Sequence, residues 1–136
     1  MTDPWRYVLA LAVASVATSF SDWYFMGVLF HDRYLAYPET WRHRGDKRSE
    51  SLAVAWSTLT GVLSAGAFLW LAVRLGVAAD SQVFLLAGGL WLAGPVPLLL
   101  TQGAFIRIHF LNTVAALLGW LVRFALFAIT ARLILH

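Results

Sequence analysis

The stretch Ser51–Val73, SLAVAWSTLTGVLSAGAFLWLAV, decides the fold. It contains no charged side chain, and crossing a bilayer as a helix takes about 20 mostly apolar residues. Working outward, three further segments of this kind appear. One runs about Trp5 to Phe30 and is interrupted by Asp22. One runs about Ser81 to Thr101, uncharged, with Pro95 and Pro97 near its end. The last runs about His109 to Leu135 and is interrupted by Arg123. The expected architecture is all-α: a single four-helix transmembrane bundle over residues 1–136, with a loop at residues 31–50 and antiparallel neighbours, since short links reverse the chain.

Composition agrees. The 136 residues are 60% hydrophobic and only 12% charged. Soluble domains carry about 25% charged residues, and a small domain has the most surface to solvate. An ordinary soluble domain and a disordered chain are both excluded. The absence of cysteine rules out disulfides, thiolate metal sites and cysteine nucleophiles. The net charge of +3 does not signal nucleic acid, because half of the basic residues lie in one loop between apolar spans.

Those basic residues set an expected orientation. Arg33, Arg42, Arg44, Lys47 and Arg48 occupy the long loop, and Arg107 the last link on the same side. Arg6, Arg74 and Arg132 fall on the other side. Cytoplasmic loops carry the Lys/Arg excess, so the long loop is expected in the cytoplasm and both termini outside, as in a bacterial inner membrane protein. Ser15-Val16-Ala17 has the small residues a signal peptidase accepts, but the segment before it is not net basic and the apolar pattern continues past it. Retention as a span is expected.

Small residues at four-residue spacing mark close packing in lipid. Ala53, Ser57, Gly61 and Ala65 form one stripe, and its length suggests a homo-oligomer. Ala10, Ala14 and Thr18 form another whose next position is Asp22. Ala115 and Gly119 lead to Arg123, with Asn112 and Ala116 near the same face. Both intramembrane charges thus continue faces that should point inward, where charges in membranes hide. Their backbones differ in expected depth by roughly 9 Å. A long arginine covers most of that, with water or Asn112 bridging the rest. Two readings of an Asp22–Arg123 pair stand: a staple between helices, which buried ion pairs often are, or a relay or counter-ion for a small solute, ion or proton. The remaining alternative is that the two never meet and Arg123 serves another subunit.

The remaining features carry less chemistry. Pro95 and Pro97 remove backbone donors; the favoured reading is a helix end, the alternative a broken helix lining a cavity, with Thr101 and Gln102 as partners for freed groups. Trp5 and Trp41 suit the bilayer interfaces, while Trp56, Trp91 and Trp120 fall deeper and are expected only to pack. The loop is expected to meet anionic lipid headgroups. His31, Asp32, His43 and His109 face its side, and a hydrolytic or metal site would need them to converge. His31, His43 and His109 match no compact zinc spacing. No phosphate-binding loop, nucleophile elbow or HExxH motif is present, and no cofactor is expected.

Trp23-Tyr24 and Leu29-Phe30 close the first span ahead of a basic loop containing Trp41. This pattern resembles the DUF1761 family of small four-span bacterial membrane proteins. The resemblance implies four membrane helices and assigns no catalytic residue, because that family's function is uncharacterised. Three function classes follow: a solute, ion or proton carrier using Asp22, Arg123 and Asn112; an accessory or scaffold subunit; and, last, a membrane enzyme using the histidine cluster.

Overall fold

A computed structural model describes residues 3–29, 32 and 47–135, and every element among them is helical. Helix α1 spans Pro4–Tyr24 and continues into a π-helical turn, Phe25–Leu29. Pro4 opens it because the first turn has no use for the donor proline lacks. The Asp3 carbonyl then accepts from the N–H groups of Arg6 and Tyr7 at 3.0 and 3.3 Å.

Helix α2 spans Lys47–Arg74, beginning one turn before the apolar run expected from the sequence. Its end is closed by Gly76 at φ 70°. The Gly76 N–H reaches the Val73 carbonyl at 3.1 Å and the Val77 N–H reaches Ala72 at 3.0 Å. That is the Schellman arrangement, which needs a left-handed residue and so favours glycine.

Helix α3 spans Gln82–Ala93. Asp80 prepares it: its carboxylate accepts from the Gln82 N–H at 3.2 Å and the Ser81 hydroxyl at 3.0 Å. These bonds, the Gln82 N–H first, hold the exposed Asp80 carboxyl below its ordinary range. At Gly94 the backbone turns to φ −108°, ψ −85°, and helix α4, Pro95–Phe105, begins. The expectation that the prolines end the third span is therefore corrected. Pro95 and Pro97 occupy the first turn of a new helix, where a missing donor costs nothing. Thr101 and Gln102 are exposed, and the Leu98 N–H donates to the Gly94 carbonyl at 3.3 Å as the first bond of the new helix. Helix α5 spans Phe110–Ile134, with His109 as its N-cap.

Four stretches are long and apolar enough to cross a membrane: Pro4–Leu29, Lys47–Arg74, Gln82–Phe105 and Phe110–Ile134. Large apolar side chains such as Val16, Trp56, Leu63 and Leu85 point outward. In water that surface would drive aggregation; against acyl chains it is the matching solvent.

Helix α5 lies at the centre and packs against all four other helices. The buried cluster is built largely of small residues, among them Ala10 and Ala14 of α1, Ala65 and Ala72 of α2, Ala87 of α3, and Ala128 and Ala131 of α5. Small side chains let helix backbones approach, which matters where lipid supplies no hydrophobic drive between helices. Phe68 and Phe127 fill the remaining space with ring centroids 5.6 Å apart. One polar tie crosses the bundle here: the Tyr7 hydroxyl donates to the Gly66 carbonyl at 2.7 Å.

Candidate functional site

The site is assembled by two small-residue faces. On α1, Ala10, Ala14, Thr18 and Ser21 are all buried, and Asp22 is half-buried beside them. On α5, Ala115 is buried and Gly119 half-buried on the face that carries Arg123. The faces meet, and the Arg123 guanidinium donates through Nη2 to Oδ2 of Asp22. The side chains of Arg123 and Asp22 keep 13% and 30% of their surface exposed. The pair is therefore open on the carboxylate side more than on the guanidinium side. Its residues stand 101 positions apart in the chain.

The contact is direct, with no bridging group. Asn112, the expected bridge, is buried but stands eleven residues before Arg123, roughly 16 Å along the α5 axis. It lies instead beside Thr113, which packs against α4: a Cβ placed on Gly103 would come within 3.2 Å of the Thr113 hydroxyl.

A third side chain joins the pair. Arg123 Cζ lies 4.4 Å from the centroid of the Trp120 ring, well within cation–π range. Trp120 stacks on Phe124 at 5.9 Å. Phe124 in turn meets Phe68 and Phe127, each at 5.9 Å. A chain of rings thus leads from the charged pair into the core. Trp120 was expected only to pack; its position one turn before Arg123, at i, i+3, was the signal that places it on the same face.

Two hydroxyls complete the surroundings. Thr18 is satisfied within its own helix, donating to the Ala14 carbonyl at 2.8 Å. Ser21 Oγ is buried and has no hydrogen-bond partner among the described residues. Three residues beyond Asp22, at Phe25, the helix widens into the π-helical turn, a feature that often accompanies functional positions in helices.

The second candidate cluster does not assemble among the described residues. His31 and His43 lie outside them, and Asp32 is exposed. His109 is engaged as a helix cap, its Nδ1 accepting from the Leu111 N–H at 3.1 Å. No group of three His, Cys, Asp or Glu able to hold a metal occurs among the described residues. Trp91, another deep tryptophan, packs as expected, and its Nε1–H donates to the Leu117 carbonyl at 3.0 Å.

Comparison with protein-family models, with curated proteins and with solved structures finds no match to this chain.

Proposed function

We propose that this chain is a small integral membrane protein that binds or conducts a small ion, solute or proton at the Asp22–Arg123 pair. The observation that carries the proposal is the pair itself, a carboxylate and a guanidinium in contact within helices long enough to span a membrane. Ionisable residues are expensive there and are usually kept for transport or relay. The 30% exposure of Asp22 leaves a face for an incoming species.

The wider setting is proposed with it. Neighbouring spans run antiparallel, a reading supported by the bond from Tyr7 near the start of α1 to Gly66 near the end of α2. The Lys/Arg distribution supports termini on the non-cytoplasmic side of a bacterial inner membrane, with the basic loop at anionic headgroups. The DUF1761-like end of the first span, at Trp23, Tyr24, Leu29 and Phe30, supports four membrane helices.

The test is flux. Purified protein in liposomes is expected to carry a proton or ion current that Asp22→Asn abolishes and that thermal unfolding shows is not lost through misfolding. A current unchanged in Asp22→Asn overturns the proposal.

A second reading rests on a different observation. Residues 51–60 of α2 are all exposed, including Ala53, Ser57 and Trp56. Only Ala65, at the inner end of that small-residue stripe, is buried. The free stretch suits an accessory or scaffold subunit, or a second copy of the chain. Co-purification of a larger complex, lost on Ser57→Leu while the liposome assay stays silent, favours it.

A further inference from the structure

We infer that Trp120 is the platform that holds the Arg123 cation when Asp22 takes up a proton, so that the pair works as a proton-binding switch. The inference deepens the proposed function by naming the species as a proton, and it rests on that reading only for its link to flux.

Arg123 has two partners in this structure. Its Nη2 meets the Asp22 carboxylate, and its Cζ lies over the Trp120 ring at 4.4 Å. A guanidinium does not lose its proton in proteins. The titrating member of the pair is therefore Asp22. When the carboxylate gains a proton it becomes a neutral acid, and the site changes from neutral to one positive charge. In a bilayer interior an uncompensated cation is costly. The indole face is the compensation available on this helix, and indole is the strongest aromatic partner for a cation. A ring attracts an arginine more strongly once the neighbouring carboxylate no longer neutralises it. Trp120 thus favours the protonated state over the ionised one, which is what a positioning residue for proton uptake must do. Its own position is fixed by Phe124.

Other charged and titratable groups among the described residues stand on the same helices. On the elements packed against α1 they are Lys47, Arg48, Glu50 and Arg74 of α2 and Arg132 of α5, all in the terminal turns of their helices. On α1 itself Asp3 and Arg6 lie at its start, at the opposite end from Asp22. Tyr7 has its hydroxyl engaged by Gly66, and Tyr24 is exposed.

The experiment follows the carboxylic-acid carbonyl band in the infrared spectrum of the full chain in lipid nanodiscs, assigned by its loss in Asp22→Asn. The band is expected to grow on acidification. Trp120→Phe is expected to lower its midpoint pH by about half a unit, a threefold loss of proton affinity, and Trp120→Leu by about one unit, a tenfold loss. A merely structural tryptophan would not move the midpoint. Trp120→Phe, which keeps an aromatic ring, decides the matter if the leucine variant does not fold. A midpoint unmoved in Trp120→Phe, or an Asp22 band absent at every pH, overturns the inference. If liposomes show no flux while the midpoint still shifts, the transport reading fails and the switch stands. If flux is present and the midpoint is unmoved, the switch alone fails.

Discussion

Arg123 shows how much one side chain can be asked to do within a membrane-spanning helix. It is 13% exposed, paired to a carboxylate and stacked on an indole. Removing it leaves Asp22 beside an apolar core without its counter-charge. Arg123→Gln is therefore expected to lower stability by about 3 kcal/mol, the low end for a broken buried pair because Asp22 keeps 30% of its surface open. The double variant Asp22→Asn with Arg123→Gln is expected to regain most of that loss, since neither neutral amide strands a charge. Denaturation in mixed micelles, arranged as a double-mutant cycle, checks both statements. Additive losses would mean that the two residues contribute to stability independently. The candidacy of both residues, and a pairing between them, were legible from their position on small-residue stripes. That the contact is direct was not, because helix pitch gives depth only to within the reach of a side chain.

At the scale of elements, the apolar run of the last span marks its helix closely. Phe110–Ile134 differs by one residue at each end from the apolar run His109–Leu135, which supplies its two caps. The end of α2 depends on Gly76, whose φ of 70° a side chain rarely adopts. No described residue lies within 4 Å of the place a Cβ would take there, so Gly76→Ala isolates the backbone term. It is expected to cost about 1 kcal/mol, seen as a lower thermal midpoint with the helix content unchanged. A stability equal to the unaltered protein would show that the turn relaxes without strain. In the third span the favoured reading, a helix end, gave way to the alternative of a broken helix. Two prolines after a glycine read equally as a stop and as a restart, because proline is excluded from helix interiors and favoured in first turns. Gly94 absorbed the change in direction, and α4 ran on to Phe105.

For the molecule as a whole, the expected arrangement in the membrane yields a labelling pattern. The chain has no cysteine, so single cysteines report sidedness without background. With Ala79→Cys in the exposed turn after α2, a membrane-impermeant thiol reagent applied to intact cells is expected to react. With Thr40→Cys in the basic loop, it is expected to react only after the membrane is opened. The reverse pattern would place the termini in the cytoplasm. A recess on the outer side of α1 is lined by Ala12, Val13, Val16 and Ala17, all apolar.

The sequence by itself determined the solvent and the element type. A chain with 12% charged residues and four long apolar runs has to satisfy its backbone internally, and helices do so one segment at a time. Local chemistry of this sort is written in neighbouring residues. Only the tertiary structure decided that Arg123 reaches Asp22 across 101 positions, that Trp120 lies beneath the guanidinium and not merely against a neighbour, and that Asn112 belongs to a different part of α5. Those outcomes depend on the rotation and depth at which small-residue faces settle against each other. Lipid drives no particular choice among such settings, so packing between distant helices makes it.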